Sequence, residues 1–98
     1  MTELTYVQTP GLRTRPLASQ GYLIVFDPER PMLRWLNCTA WVVFELCTGI
    51  TENQIKMDYG TVVAPSSPED VAQHVRAALN QLVSGGLIRA QPKEVSAS

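Results

Sequence analysis

One stretch constrains the fold of this chain more than any other: residues 36–49, which read L-N-C-T-A-W-V-V-F-E-L-C-T-G. Asn37 and Thr39 are residue types that cap the start of a helix, and Gly49 is typical of a helix end. Between them, Glu45 is the only charged residue in an otherwise apolar run. The pattern therefore predicts a short and almost wholly buried helix that begins at Asn37 or Thr39 and ends at Cys47.

Length, composition and net charge limit the classes of protein to which the chain can belong. Its 98 residues suit one domain, and 45% hydrophobic and 17% charged residues are typical of a folded globular chain. The net charge of −1 provides no basic excess, so general affinity for nucleic acid is not expected. The N-terminus does not resemble a signal peptide and the apolar runs are too short for a bilayer, so we expect a cytoplasmic protein. Cys38 and Cys47 would lie about 13 Å apart along the predicted helix, which excludes a disulfide between them.

The first half of the chain predicts three strands. Residues 1–9 show only weak alternation and are expected to form a flexible arm. Leu12–Leu17 alternates with Arg13 and Arg15, Tyr22–Phe26 is an unbroken apolar run with two aromatic residues, and Met32–Leu36 follows a proline-rich turn. Because short turns join these segments, they should form an antiparallel meander with Met32–Leu36 at one edge.

Helical patterns fill the second half. A second helix is predicted from Thr51 to about Tyr59. Ser67-Pro68-Glu69-Asp70 is a strong start signal for a third helix, which should end at Gly85-Gly86. Apolar residues recur at helical spacing within it, namely Val71, Val75, Ala78, Leu79 and Leu82. The order predicts an α+β domain over residues 10–90, with a three-stranded antiparallel sheet followed by three helices and a flexible tail over residues 91–98.

Catalytic and metal-binding patterns are weak. His74 is the only histidine and should lie on the polar side of the third helix. Glu69 and Asp70 could resemble a carboxylate pair, but acidic residues in a first helical turn are explained by the helix dipole. Two cysteines on opposite helix faces cannot share a zinc ion. We therefore expect neither an enzyme nor a cofactor or metal site.

The signature of the first helix gives the chain a family resemblance. The spacing of leucine, asparagine, threonine, alanine, an apolar run, cysteine and glycine in residues 36–49 resembles the core signature of the PQQ biosynthesis protein D (PqqD) family. The resemblance extends over residues 10–89, including the third helix that begins P-E-D-V and ends Q-L-V-S-G-G-L-I. Proteins of this family bind the leader of a ribosomally made precursor peptide and present it to a modifying enzyme, often a radical SAM enzyme. Thr48 replaces the acidic residue usual in that family, which favours a peptide pathway other than that of PQQ.

The resemblance also implies a binding site. In the family, the leader is similar to an extra strand that lies antiparallel to the third strand, in a groove shared with the third helix. An exposed sheet edge can accept a peptide in this way because its backbone N–H and C=O groups are unpaired. Carried over to this chain, the peptide-binding residues on the strand are Met32, Leu33, Arg34, Trp35 and Leu36. Those on the helix are Val71, Val75, Arg76, Leu79 and Asn80. Arg34 and Arg76 could then pair with acidic leader residues.

Other interpretations remain open at this point. The order of elements is also winged-helix-like, so a DNA-binding regulator is the main alternative. Such a regulator needs a basic recognition helix, whereas the second helix offers only Lys56 against Glu52 and Asp58. A structural subunit that docks on a partner enzyme is a third option. The expected partners are a precursor-peptide leader and a modifying enzyme, not nucleic acid or a membrane. The edge strand could also pair with its own copy, which would give a homodimer.

Overall fold

The computed structural model describes residues 3–62 and 67–92 of the chain. It has six strands in two antiparallel sheets, three α-helices and one 3₁₀ turn at Ala18–Gln20, so the predicted α+β class is confirmed. In chain order the elements are β1 (Leu4–Gln8), β2 (Arg13–Leu17), β3 (Tyr22–Asp27), β4 (Met32–Leu36), α1 (Cys38–Leu46), β5 (Thr48–Thr51), α2 (Glu52–Val62), α3 (Pro68–Ser84) and β6 (Ile88–Pro92).

The predicted meander is present as the sheet β2-β3-β4. Its strands pair in simple antiparallel register: Arg15 lies opposite Ile24, and Ile24 lies opposite Trp35. Leu23 and Val25 point from β3 into the core, where they are buried against α1. Because side chains alternate along a strand, Tyr22, Ile24 and Phe26 must point to the opposite face.

A second sheet, in the order β5-β1-β6, was not predicted. The expectation of a loosely held arm over residues 1–9 is wrong for Leu4–Gln8, because this segment is β1, the central strand of that sheet. The tail predicted over residues 91–98 also begins too early, because the strand β6 continues to Pro92. The rest of that predicted tail, residues 93–98, lies outside the described residues. The sheet brings Tyr6 opposite Ala90, two residues far apart in sequence.

The three helices begin and end close to their predicted positions. At the start of α1, the Asn37 side chain accepts a hydrogen bond of 2.9 Å from the N–H of Ala40. At the start of α3, the Ser67 hydroxyl oxygen accepts one of 3.2 Å from the N–H of Asp70, with Pro68 at the first helical position. These caps satisfy N–H groups that a helix start leaves without partners. The prediction for the residues after α1 is wrong. Only a helix end was expected there, but Thr48–Thr51 forms the strand β5.

One continuous core joins the two sheets and the helices. The buried side chains of α1 (Ala40, Val43 and Phe44) pack with those of β3, β4, α2 and α3. Helix α3 has a clear apolar face, and its buried residues are Val71, Val75, Ala78, Leu79 and Leu82. All five were predicted from their helical spacing. Thr9 joins the segment after β1 to the turn after α3: its backbone N–H donates to the Leu87 oxygen at 3.0 Å, and its hydroxyl donates to the Gly86 oxygen at 2.7 Å.

Candidate functional site

Strand β4 is an edge strand of its sheet. It pairs with β3 on one side, and no strand among residues 3–62 and 67–92 pairs with its other side. In an antiparallel pair, alternate residues direct their N–H and C=O groups away from the partner strand. The open side of β4 is therefore a row of unpaired backbone donors and acceptors, as strand addition requires.

The side chains of β4 divide between the two faces of the sheet. Leu36 points into the core beside Leu23, its cross-strand partner, and Arg34 is on the same face opposite Val25. Leu33 and Trp35 point to the outer face and are 56% and 52% exposed. One strand thus contributes to two surfaces: a cleft on the inner side and an apolar outer face.

A cleft of about 520 Å³ lies between β4 and the end of α3. Four consecutive residues of β4 and four residues around the α3 terminus line it: Leu33, Arg34, Trp35, Leu36, Gln81, Ser84, Gly85 and Leu87. Its volume is within the range of protein ligand sites. Unlike a closed pocket, this cleft is bounded by a strand edge, so an extended chain can lie in it lengthwise.

One arginine, Arg34, lines the cleft, and a second, Arg30, lies beside it in an ion pair with Asp27. Within residues 3–62 and 67–92, Arg34 is the only charged residue that lines the cleft. The guanidinium of Arg30 lies against Gly86, in the space that a Cβ there would fill, and is 3.8 Å from the Asp27 carboxylate. Gly86 has a φ of 73°, a left-handed conformation that glycine adopts without strain. The absence of a side chain at Gly86 therefore serves both the turn after α3 and the approach of Arg30.

The residues predicted for the helix half of the groove lie in different places in the structure. Val71, Val75 and Leu79 belong to the core, and Val75 is completely buried. Their side chains cannot contact a peptide in the β4 cleft without opening the core. The part of α3 that does face β4 is its last turn, where Gln81, Ser84 and Gly85 follow the i, i+3, i+4 spacing of one helix face.

Arg76 and Asn80 line a different cleft. This second depression, of about 280 Å³, is on the side of α3 that faces the second sheet. The residues around it are Tyr6, Glu52, Arg76, Leu79, Asn80, Val83, Ser84 and Ala90. The helical spacing correctly gave the buried face of α3, but the flank on which Arg76 and Asn80 lie borders the unpredicted sheet β5-β1-β6 and not β4.

Glu52 pairs with the cations of the second cleft. Its carboxylate oxygen is 3.0 Å from Lys56 Nζ and 3.0 Å from Arg76 Nη2. Partial burial raises the pKa of Glu52, but the hydrogen bonds and charges of Lys56 and Arg76 outweigh burial, and the net pKa is lowered. These are the basic residues that a DNA-binding interpretation of α2 and α3 would use, and both are already paired.

The remaining chemically reactive side chains lie apart from the β4 cleft. His74 is exposed on α3, with its Nδ1 3.5 Å from the hydroxyl oxygen of the buried Tyr59. Cys38 is an exposed free thiol, and Cys47 is buried, with its Sγ donating to the Val43 oxygen at 3.1 Å. Over the described ranges, no three His, Cys, Asp or Glu side chains are grouped as they would be around a metal ion. Among these same residues, no helix has the length and apolarity needed to span a membrane.

Comparison with protein-family models, curated proteins and solved structures gives no match to this chain. The resemblance to PqqD and the likeness to a winged helix therefore stay predictions. The residues of the cleft that sequence reasoning missed are Gln81, Ser84, Gly85 and Leu87. Their only signal in the sequence is that Gln81 and Ser84 are polar and one turn apart, on the flank beside the apolar stripe of α3.

Proposed function

We propose that this protein recognises the leader of a ribosomally made precursor peptide, which adds as a strand to the open edge of β4 and is presented to a separate modifying enzyme. The observation that supports the proposal is the position of the 520 Å³ cleft directly along that edge. Five strand residues span about 17 Å, so β4 can pair with roughly five residues of an extended peptide. Backbone hydrogen bonds would provide affinity, and the cleft would select side chains.

Charge supports an acidic segment in the ligand. Arg34 lines the cleft, and none of the described residues that line it is acidic. A carboxylate of the peptide near Arg34 would form a charge-assisted hydrogen bond, which is stronger than a neutral one.

The contribution of such a protein to the pathway is proximity. A peptide held at β4 and a modifying enzyme held by the same protein would meet at an effective concentration in the millimolar range, as expected for linked binding partners. No residue of this chain needs to take part in the chemical step.

Trp35 provides a direct binding assay because it is 52% exposed on the edge strand. We would titrate synthetic leaders of small peptides encoded beside the gene into the Trp41→Phe variant and follow tryptophan emission. Saturable binding at micromolar peptide or below, confirmed by calorimetry, is the expected result. If a folded protein binds none of the candidate leaders in the calorimeter, the proposal is wrong.

Matched arginine variants test which cleft is used. Arg34→Gln should weaken binding of an acidic leader about tenfold, the effect of removing one partly exposed charged contact. Arg76→Gln removes the same charge from the second cleft and should leave affinity unchanged. Equal effects of the two substitutions would contradict the assignment of the peptide to the β4 cleft.

Proline variants test strand addition itself. Of the neighbouring residues Leu33 and Arg34, one directs its N–H to the open edge and the other directs it to β3. Proline at the open-edge position should keep the β3–β4 pairing and the fold, yet abolish leader binding. The other proline should destabilise the sheet. A stably folded proline variant that binds the leader as well as the unmodified protein would exclude strand addition through that amide.

A further inference from the structure

The outer face of the sheet β2-β3-β4 is unusually apolar for a surface. Antiparallel sheets with one solvated face normally alternate apolar and polar residues, whereas β3 carries five apolar residues in succession. Its inward residues are covered by α1, but the outward ones are only half-buried or exposed, and Tyr22 is 41% exposed. A strand of this composition is typical of a sheet that is covered on both sides.

The cationic and apolar side chains of the outer face lie on different strands. Cross-strand pairs share a face, so the registers place Arg15, Ile24 and Trp35 in one row and Arg13, Phe26 and Leu33 in the next. Both arginines are on β2, at one edge of the face, and Leu33 and Trp35 are on β4, at the other edge. Leu17 and Tyr22 complete the face, and none of these eight side chains is acidic.

Trp35 is held in place on this face. Its ring makes an edge-to-face contact with Tyr22, with ring centroids 5.9 Å apart and an interplanar angle of 73°. The Trp35 side chain is 52% exposed, so part of the indole is accessible to a cation, and arginine is the residue that most often binds tryptophan in this way. The complementary cation is already present on β2, but at the opposite edge of the same sheet.

We propose that this outer face is the contact surface of a homodimer whose two-fold axis runs along β3. Such an axis places β2 of one copy over β4 of the other, so that Arg15 stacks on the partner copy's tryptophan and Arg13 lies over the partner copy's leucine. The central β3 residues pack against themselves, with the two sheets about 10 Å apart. An axis perpendicular to the strands would instead place β2 over β2 and arginine against arginine. Because like charges repel, the axis along β3 is favoured.

The size of the face predicts a weak dimer. Covering most of the area exposed on the eight side chains would bury roughly 1,000 Å² in total, near the lower limit for a specific interface. Its aromatic and arginine content is typical of residues that contribute most to binding. The contact leaves the backbone of the open β4 edge and the α3 side of the cleft uncovered, but it shares Leu33 and Trp35 with the cleft.

Sedimentation equilibrium tests the proposal. The average mass should rise from that of a monomer at about 2 µM to nearly that of a dimer at roughly 500 µM, the range expected for a small interface. Trp35→Arg and Arg15→Glu should each raise the dissociation constant at least about twentyfold. Arg89→Glu, an exposed strand arginine of the other sheet, is the matched control and should leave the curve unchanged.

A mixing experiment tests the two-fold axis. Neither Trp35→Arg nor Arg15→Glu alone should form a dimer, but an equimolar mixture should. In the mixed pair one half of the interface is native, and the other half places the new glutamate against the new arginine. A monomer at every concentration, a dimer that both substitutions leave unchanged, or a mixture that stays monomeric would each overturn the proposal. Binding of a monomeric protein to phosphatidylglycerol vesicles through Trp35 would assign the face to membranes instead and would also overturn it.

Discussion

Strand β1 is paired on both sides, so a proline within it should have a large cost. Thr5 lies opposite Gln91 of β6 and opposite Thr51 of β5. A residue in a central antiparallel strand directs its N–H to one neighbour or the other, and here both neighbours are present. Thr5→Pro therefore removes a ladder hydrogen bond whichever way that N–H points. The edge strand β2 already contains Pro16, which an edge position tolerates.

The size of the effect can be estimated from the lost bond and the distorted strand. A carbonyl left without its donor costs about 1–3 kcal/mol, and the proline ring disturbs the neighbouring pairs as well. We expect the free energy of unfolding to fall by about 3 kcal/mol, a large part of the 5–15 kcal/mol typical of a domain. For a chain of this size this lowers the urea midpoint by about 2 M and the melting temperature by about 15 °C.

Urea unfolding followed by circular dichroism measures this loss. Thr5→Ala is the matched control because it keeps the backbone N–H and removes only the exposed 3.3 Å bond from the Thr5 hydroxyl to the Gln91 oxygen. If residues 1–9 were a loose arm, the two variants would have equal stability. A difference of less than about 0.5 kcal/mol between them would refute the reasoning that β1 is a central strand.

Three further predictions concern the caps and the titrating groups. Asn37→Ala should lower the free energy of unfolding by about 1 kcal/mol through loss of the α1 cap, and Asn37→Ser should restore most of it in the same urea assay. The pKa of Glu52 is lower in the folded protein than in the unfolded protein, so the ionised carboxylate stabilises the fold. This stabilisation is complete at a pH above the pKa of the unfolded protein, and it is lost as the pH falls through the pKa of the folded protein. Glu52→Gln should therefore flatten the acid limb of a stability–pH profile, and an unchanged limb would contradict the ion pairs. Burial raises the pKa of Cys47 to about 12, so a disulfide reagent should modify Cys38 rapidly in the native protein and Cys47 only after unfolding.

Local signals explain which elements could be predicted. The apolar run of β3, the cap at Asn37 and the Ser67-Pro68 start of α3 each depend on neighbours within a few residues. By contrast, β5 and β6 are short and owe their conformation to β1, which pairs with both. The pairing of Tyr6 with Ala90 joins opposite ends of the chain, and no local pattern records it.

The strand half of the candidate site could likewise be predicted from sequence, whereas the helix half could not. Met32–Leu36 was predicted as an edge strand from the order of the elements, and the structure places it at a sheet edge with a cleft beside it. The helix residues that face this cleft were missed because helical spacing identifies a buried stripe without identifying what covers each flank. Asn80 and Gln81 are adjacent, polar and equally plausible from sequence, yet they line different clefts.

The position of α3 between two sheets explains why one helix can border two unrelated surfaces. Ser84 lines both clefts, so the last turn of α3 separates the open edge of β4 from the depression around Glu52. A cation on one flank, Arg76, is held by Glu52, whereas Arg34 on the other side lines a cleft that has no acidic residue among the described residues that line it. This difference in pairing is why we expect the ligand's acidic residue to lie beside β4.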